Sequence, residues 1–317
     1  MAADWAPTLS PAVLAERAAL LARIRAFFAE RGVLEVDTPV LAAHAVTDPA
    51  LASVAVDGGW LQTSPEYHMK RLLAAGSGPI YQLSRAFRSA ERGRLNNPEF
   101  LLLEFYRPDF DDAALMDELE ALLAPVLPGF PARRVPFATL IAEHFGVDVF
   151  TADDAALAAA LAARWSAAGR DDDPARLADG RTGLLELLYG DAADALAGAC
   201  FVTDFPPALS ALARLRTDDA GRTVAARFEL VVDGVELANG FHELCDAAEQ
   251  RARFEADLAR RASRGLSTPA IDERFLAALA AGLPDCAGVA VGVDRVLMLA
   301  VGATRIEDVM PFPAERA

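Results

Sequence analysis

The fold is decided by residues 80–106, which read IYQLSRAFRSAERGRLNNPEFLLLEFY. Ile80 to Phe87 is a run of strand-forming residues, and Pro98 to Tyr106 is a second and more apolar run. Between them lies the polar, arginine-rich segment Arg88 to Asn97. Two apolar runs joined by a polar loop predict an antiparallel pair of strands.

Two later stretches extend this pattern. RFELVV and VELAN flank Asp233-Gly234, which is a strong signal for a hairpin turn. The segment GVAVGVDRVLMLAVG, residues 288–302, is typical of a glycine-containing strand that runs into a helix. Strands therefore dominate the chemically interesting segments, with helices around them. This predicts an α+β fold with an antiparallel sheet, and not a doubly wound parallel sheet.

The rest of the chain is mostly helical by its periodicity. Ser10-Pro11 is a cap and first-turn pair, and Gly32 is a stop signal. The apolar stripe of the first helix is predicted at Leu14, Ala18, Leu21, Ile24 and Phe28. One further helix is predicted to start near Pro65, and others are predicted at 111–125, 152–168, 181–189 and 246–264. Short strands are predicted at 33–36 and 60–63, and a loop at 40–59. Residues 145–200 carry no chemical motif and are interpreted as a helical insertion or cover.

Composition limits the class of protein. The chain has 317 residues, of which 53% are hydrophobic and 24% charged, so one large domain or two ordinary ones can bury a core. It contains neither a spanning apolar stretch nor a basic-then-apolar leader, which predicts no membrane association. Three cysteines without metal-ligand spacing are typical of reduced thiols in a cytoplasmic protein.

The net charge of −16 makes tRNA an unlikely main partner, because proteins that hold long nucleic acids by counterion release are usually basic. Only one of the 30 Lys and Arg residues is a lysine, Lys70, and no glycine loop precedes it. A phosphate-binding loop of the Gly-Lys-Ser/Thr type is therefore absent from the sequence. Any ATP must be bound by another arrangement.

Four segments carry candidate chemistry, and each has a structural alternative. The arginines of 88–97 suit bidentate contacts with phosphate, or they form a solvated hairpin loop. Glu236 and Glu243 flank an Asn-Gly turn and can hold Mg²⁺, or they are surface acids. The alternating small residues of 288–292 clear a strand face for a flat ligand, with Arg295 beyond it, or they reflect tight packing. Glu66 binds a ligand, or it is only a favourable acid at a helix start.

Taken together and in order, these segments resemble the class II aminoacyl-tRNA synthetases. RGVLEVDTPVL is similar to their dimer-forming motif 1, FRSAERGRLNNPEF to motif 2, and GVAVGVDRVLM to motif 3. TSPEYHMKRLL, LEFYRP and GVELANGFHEL resemble the lysyl-tRNA synthetase versions. The resemblance implies the class II catalytic core, an antiparallel sheet flanked by helices, as a single domain over residues 10–315.

The likeness is closer to a family of lysyl-tRNA synthetase paralogues, the elongation factor P (R)-β-lysine ligases. The motif 1 helix begins near residue 11, which leaves no room for an anticodon-binding barrel before it. Ala290 stands where lysyl-tRNA synthetases keep a glycine. This family implies a homodimeric, ATP- and Mg²⁺-dependent ligase that activates (R)-β-lysine as an adenylate and transfers it to a lysine of elongation factor P. Alternatives are a lysyl-adenylate former that acts on tRNA or another acceptor, and a non-catalytic nucleotide- or lysine-sensing paralogue.

The resemblance also implies roles for particular residues. Arg88 would hold the reacting α-phosphate and Arg295 the γ-phosphate. The implied amino-acid contacts are Ser64, Pro65, Glu66, Tyr106 and Glu243, with Glu104 and Glu249 as further candidates. The implied ATP contacts are Arg88, Ser89, Ala90, Asn97, Glu236, Leu237, Gly292 and Arg295. The implied magnesium ligands are Glu236 and Glu243.

Motif 2 departs from the family pattern at one position. The usual Phe-Arg-x-Glu reads Phe-Arg-Ser-Ala here, with Glu91 displaced by one residue. In the family this glutamate contacts the nucleotide. Either Glu91 reaches the nucleotide through a shifted loop, or backbone contacts at Ala90 suffice.

Overall fold

The computed structural model describes residues 5–317. The helices are α1 (Pro11–Glu30), α2 (Glu66–Ala74), α3 (Asp112–Leu123), α4 (Phe137–Phe145), α5 (Asp154–Ala167), α6 (Pro174–Leu177), α7 (Gly180–Asp194), α8 (Ala247–Ser263), α9 (Glu273–Gly282) and α10 (Val293–Ala300). The strands are β1 (Leu34–Glu35), β2 (Leu41–Ala42), β3 (Val54–Val56), β4 (Gly59–Leu61), β5 (Ile80–Phe87), β6 (Glu99–Pro108), β7 (Arg133–Pro136), β8 (Ala199–Phe205), β9 (Leu215–Thr217), β10 (Thr223–Val232), β11 (Val235–His242) and β12 (Cys286–Gly292).

The predicted first helix is confirmed, but its buried stripe is only partly the predicted one. Ser10 Oγ accepts a hydrogen bond from the backbone N–H of Val13 at 3.3 Å and so caps α1. The buried side chains of α1 are Arg17, Leu20, Ile24 and Phe28. Leu14 is 49% exposed. The buried stripe could not be fully predicted from apolar periodicity, because one of its residues is an arginine.

The described residues form two compact units, 5–110 with 245–317, and 111–244. In the first unit the strands lie in the order β1-β5-β6-β12. β1 is parallel to β5, whereas β5, β6 and β12 are antiparallel. Helix α1 packs on this sheet through Phe28, whose ring lies 4.4 Å from that of Tyr81 and 4.9 Å from that of Phe105. The antiparallel pair predicted from residues 80–106 is therefore confirmed.

The loop predicted for residues 40–59 is wrong in part. Strands β2, β4 and β3 form a small antiparallel sheet there. The strands approach so closely that a Cβ added to Gly59 would lie 2.3 Å from the backbone oxygen of Ala42. Strands of two or three residues are too short to show a hydrophobic periodicity in the sequence, so they could not be predicted from it.

The second unit has its own sheet, in the order β11-β10-β8-β7, with β9 paired to β10. The hairpin predicted at Asp233-Gly234 is confirmed, because β10 and β11 pair in antiparallel register around it. Leu157, Leu161, Trp165 and Leu188 of helices α5 and α7 are buried in the core of this unit. Residues 145–200 are therefore helical, as predicted, and supply part of a hydrophobic core. Helices α4 and α9 were not predicted.

Candidate functional site

In the first unit, one face of the sheet carries most of the predicted amino-acid contacts. Gln82 in β5, Glu104 in β6 and Ala290 in β12 are neighbours in register, so their side chains share one face. We call it the Glu104 face. The opposite face, with Tyr81 and Phe105, is covered by α1.

The β12 column of the Glu104 face is made of Gly288, Ala290 and Gly292, which are in register with Tyr106, Glu104 and Leu102. A Cβ added to Gly292 would meet its nearest neighbour among the described residues, the Arg295 side chain, at 3.7 Å, which is an ordinary contact. Protein packing therefore does not require this glycine. The observation favours the ligand-clearance interpretation of the small residues over the tight-packing one.

The predicted amino-acid residues of the first unit form one hydrogen-bonded group around Glu104. Ser64 Oγ donates to Glu104 Oε2 at 2.7 Å, and Tyr106 Oη donates to Glu104 Oε1 at 2.6 Å. Ser64 Oγ also accepts a hydrogen bond from the backbone N–H of Glu66 at 3.0 Å. Pro65 sits between them as the N-cap residue of α2. Ser64, Pro65, Glu66 and Tyr106 are thus brought together as predicted by sequence, with Glu104 at their centre.

Glu66 has a partner that a simple helix-start acid would lack. Lys70 Nζ lies 2.6 Å from Glu66 Oε1, one turn along α2. The pKa of Glu104 is raised from its ordinary 4.5 to about 7, first by burial and then by the negative charge of Glu66, although Tyr106, Ser64 and Lys70 act to lower it. Two carboxyl groups and one ammonium group therefore share a water-poor region.

Arg88 follows β5 directly, at the start of the polar loop. Its Nη1 donates to Glu91 Oε1 at 3.1 Å, and its guanidinium lies 5.0 Å from the centre of the Phe100 ring. Its Nε is buried and has no hydrogen-bond partner among residues 5–317. A buried donor of this kind costs free energy unless something binds it. This supports a ligand at Arg88 over the solvated-loop alternative.

The displaced glutamate of motif 2 lies against Arg88. Besides pairing with Arg88, Glu91 accepts a hydrogen bond from Asn96 Nδ2 at 2.8 Å. Ser89 and Ala90 are exposed, and the Ser89 backbone N–H donates to the Ala52 oxygen at 2.9 Å. Glu91 thus orders the loop around the arginine, while Ala90 has only backbone groups and a methyl to offer a nucleotide.

Asn97 and Arg295 both make contacts that shape the same loop. Asn97 is buried; its Nδ2 donates to the Glu99 oxygen at 2.6 Å and its Oδ1 accepts from the Ala314 N–H at 3.0 Å. Arg295 Nε donates to the Leu95 oxygen at 3.3 Å. A structural role is visible for Asn97, so its contact with ATP remains a proposal.

In the second unit, a β-bulge determines where Glu236 points. Glu229 pairs with Asn239 and Val231 pairs with Glu236, so β11 contains one extra residue, Leu237. The bulge turns the Glu236 side chain to the face that carries Glu229 and Asn239. Leu237 itself is buried, at 1% exposure, so only its backbone is placed for contact with a ligand.

Glu229 is the buried centre of this second cluster, and sequence reasoning missed it. Its carboxylate accepts a hydrogen bond from Tyr189 Oη at 2.7 Å and pairs with Arg227. Arg227 Nε also donates to Asn239 Oδ1 at 3.2 Å. The pKa of Glu229 is raised to about 7, first by burial and then by the charge of Glu236. Glu229 and Glu236 are therefore close enough to interact electrostatically.

The register adds one acidic residue to the expected magnesium ligands. Glu236 and Glu243 stay proposed ligands, and Glu243 lies directly after the end of β11 at His242. Glu229 shares the face of Glu236. Among residues 5–317, no group of three or more His, Cys, Asp and Glu side chains is arranged to hold a metal ion. A cation here must complete its coordination with phosphate and water oxygens.

The remaining candidates differ in burial. Glu243 is 1% exposed, and its backbone pairs with Ala213 in an isolated bridge. Its backbone oxygen accepts a hydrogen bond from Arg214 Nε at 3.0 Å. Glu249, in the first turn of α8, forms an exposed ion pair with Arg253, which is one turn further along. Glu243 therefore stays a candidate, and Glu249 is a surface ion-pair residue in this structure.

The sequence matches the family described as tRNA synthetases class II (D, K and N) over residues 5–316. The chain belongs to this family. Its antiparallel α+β sheet and the order of its motifs agree with that assignment.

Named relatives are similar to this class II chain over its whole length. It is 46% identical, over 99% of both sequences, to the protein of Sodalis glossinidius named elongation factor P–(R)-β-lysine ligase. It is also 46% identical, again over 99% of both, to proteins of that name from Salmonella paratyphi B and Salmonella heidelberg. No helix within residues 5–317 has the length and apolarity to cross a membrane.

Proposed function

We propose that this class II chain is an ATP-dependent ligase that activates (R)-β-lysine and transfers it to the ε-amino group of a lysine on elongation factor P. The observation that carries the proposal is the acidic group at the Glu104 face, where Ser64 links the backbone of Glu66 to the Glu104 carboxyl group and the charge of Glu66 acts on Glu104. A diamino acid brings two ammonium groups, and paired carboxylates in a buried pocket are their natural partners. Identity of 46% over the full length with ligases of that name supports the same substrates.

The first reaction joins the amino acid to AMP. A carboxylate oxygen attacks the α-phosphorus of ATP, a P–O bond forms, and the bond to the β-phosphate oxygen breaks to release pyrophosphate. Both reactants are anions, so the residues must offset repulsion and hold the groups in line. We assign Arg88 to the α-phosphate, because its buried Nε has no partner among residues 5–317. Arg295, at the start of α10, is assigned to the γ-phosphate.

The remaining nucleotide contacts are proposed from the family motifs. Ser89 and Ala90 would offer backbone groups, and Gly292 leaves space for the nucleotide beside β12. Leu237 would offer its backbone at the bulge. Asn97 would act mainly by holding the loop in place.

Glu236 and Glu243 are the proposed magnesium ligands, with Glu229 on the same face of the hairpin as Glu236. Burial and the charge of Glu236 disfavour the ionisation of Glu229, so a cation at this face would favour its ionised form. Mg²⁺ would neutralise charge on the ATP phosphates and stabilise the leaving pyrophosphate. The role of Arg227 and Tyr189 is to keep the Glu229 carboxyl group in place through their hydrogen bonds.

The second reaction moves the acyl group to the acceptor. A neutral lysine ε-amine attacks the carbonyl carbon of the adenylate, an amide bond forms, AMP leaves, and the amine loses a proton. The net charge of −16 disfavours a tRNA stem as the acceptor. A cytoplasmic location is proposed with the same function.

A homodimer is part of the proposal. Leu34 and Leu41, both in the segment that resembles motif 1, are 57% and 50% exposed. β1 lies at the edge of its sheet within the first unit. Exposed leucines beside an edge strand are typical of an interface. Sedimentation at micromolar concentration should give twice the chain mass, and Leu34→Asp with Leu41→Asp should give monomers. A wild-type monomer would contradict this part of the proposal.

The function is tested by supplying the acceptors side by side. The protein is incubated with ATP, Mg²⁺ and either α-lysine or (R)-β-lysine, in the presence of elongation factor P or of tRNA. Mass spectrometry should find one β-lysyl group on elongation factor P and none on tRNA. Acylation of tRNA alone would favour the tRNA alternative, and no ATP–pyrophosphate exchange with either amino acid would favour a sensing protein.

A further inference from the structure

Lys70 is the only lysine in a chain of 317 residues, and it is 1% exposed. Lysine is almost never fully buried unless its ammonium group is paired. Here Nζ lies 2.6 Å from Glu66 Oε1, because Glu66 and Lys70 stand one helical turn apart on α2. Nζ also lies 5.9 Å from the centre of the Phe275 ring. The lysine is therefore held between a carboxylate and an aromatic ring.

The ammonium group of Lys70 acts on both carboxylates of the Glu104 face. It binds Glu66 directly, and its charge favours the ionised form of Glu104. The groups that face Glu104 are Glu66 and Lys70 from α2, Tyr106 from its own strand, and Ser64 from the turn before α2. Lys70 is the one cation in that set, so it offsets the repulsion between the two acids.

We propose that Lys70 is a positioning residue for the amino-acid site, which orients the Glu66 carboxylate and keeps the Glu66–Glu104 pair able to bind a substrate ammonium group. The proposal rests on the proposed function, in which that pair binds a diamino acid. When one carboxyl group is buried and its neighbour is partly buried, the absence of a cation disfavours ionisation of both, because like charges in a water-poor region repel. A protonated carboxyl group binds an ammonium ion weakly.

The sequence supports a requirement for lysine at this position. Of the 30 Lys and Arg residues, all but Lys70 are arginine. A guanidinium is planar and larger than an ammonium group, and at a position with 1% exposure it would displace its neighbours. The chain thus uses lysine at the one position where a compact cation has to fit beside Glu66.

The test compares Lys70→Met with wild type and with a control, Arg71→Met. Methionine keeps the length and the apolar stem of the side chain but removes the charge. Arg71 is the next residue of α2, and its charge acts on His68 and is not among those that act on Glu104. Amino-acid-dependent ATP–pyrophosphate exchange is measured from pH 6 to pH 9, with separate KM values for the amino acid and for ATP.

Lys70→Met should raise the KM for the amino acid by about tenfold or more at pH 7, the ratio that corresponds to one pKa unit, and leave the KM for ATP unchanged. The difference in this KM between Lys70→Met and wild type should become smaller as the pH rises, because Glu104 without the Lys70 charge ionises only at higher pH. Arg71→Met should follow the wild-type profile. Parallel pH profiles for Lys70→Met and wild type, or an equal rise in the KM for ATP, would overturn the proposal.

A second measurement does not depend on activity. The Glu104 carboxyl carbon can be followed by ¹³C NMR during a pH titration, with Glu104→Gln to assign its signal. Its titration midpoint should move to higher pH in Lys70→Met, or in Lys70→Gln if the methionine variant does not fold. If the midpoint does not move, the proposed role of Lys70 is overturned. If the midpoint moves but the wild-type protein activates neither form of lysine, only the proposed function is rejected.

Discussion

Arg17 Nη1 lies 2.6 Å from Asp294 Oδ1, although 277 residues separate them in the chain. The other Asp294 oxygen, Oδ2, accepts a hydrogen bond from the backbone N–H of Leu101 at 2.7 Å. One buried carboxylate thus connects α1, β6 and α10. This contact fixes the start of α10, which carries Arg295, against the strand that carries Glu104.

Removal of one partner of this pair should strongly destabilise the protein. Asp294→Ala should lower the free energy of unfolding by about 3–5 kcal/mol, because a buried guanidinium would lose its counter-charge. Urea denaturation monitored by circular dichroism measures the change. The control is Glu315→Gln, which breaks the exposed Arg92–Glu315 pair and should have no measurable effect. Equal effects of the two variants would show that burial of the pair is unimportant.

Arg88→Ala should abolish ATP–pyrophosphate exchange. The guanidinium is assigned to the reacting phosphate, and loss of such a contact costs about 10²–10³ in rate or more. Arg85→Ala is the matched control, since Arg85 lies on β5, three residues before Arg88, and forms a half-exposed pair with Glu99. Exchange that persists in Arg88→Ala would remove this residue from the mechanism.

Ala290→Gly should shift the preference from (R)-β-lysine towards α-lysine. The Ala290 methyl is in register with Glu104 on the Glu104 face, so its removal changes the space beside the acidic group. The ratio of kcat/KM for the two amino acids measures the shift. Ala287→Gly, on the opposite face of β12, controls for the greater backbone freedom of glycine. An unchanged ratio in Ala290→Gly would show that this methyl does not select the substrate.

The sequence predicted the elements with strong periodicity or clear turn signals. The strands of 80–106, the hairpin at Asp233-Gly234 and the strand–helix segment after Gly288 are all present. These elements carry the residues of the proposed site. Their signals are local, since apolar runs and turn residues need no knowledge of the rest of the chain.

The sequence could not predict the partners of the site residues, because these depend on register and packing. The bulge at Leu237 decides that Glu236 shares a face with Glu229. Glu229 reads as one polar residue within an apolar strand, and its burial requires Arg227 and Tyr189. Lys70 carries no visible signal except that it is the only lysine.

The stability of the ligand-free protein should depend on the ionisation of Glu104. Its pKa is raised from 4.5 to about 7, first by burial and then by Glu66. A raised pKa means that this contribution to stability is fully present below pH 4.5 and is lost as the pH rises through about 7. Glu104→Gln should therefore gain stability relative to wild type as the pH increases from 4.5 to 8.

Urea denaturation at each pH measures this difference. Glu99→Gln is the control, since Glu99 lies on the same strand but is exposed. The difference in the free energy of unfolding between Glu99→Gln and wild type should stay constant over the same pH range. A pH-independent difference for Glu104→Gln would mean that Glu104 titrates near its ordinary pKa.

The burial of the only lysine also predicts that the ligase does not acylate itself on lysine. An adenylate that escapes the site reacts with exposed neutral amines, and Lys70 is 1% exposed and ion-paired. With ATP, Mg²⁺ and (R)-β-lysine but no acceptor, the intact mass should show no acylated lysine. Arg92→Lys, on the exposed loop after Arg88, should become acylated, because it places an amine beside the proposed nucleotide site. Arg25→Lys, on α1 at the opposite face of the sheet, should be acylated much less. Acylation of wild-type Lys70 would show that this side chain leaves its ion pair often enough to react, which would contradict both its burial and its proposed role in holding Glu66.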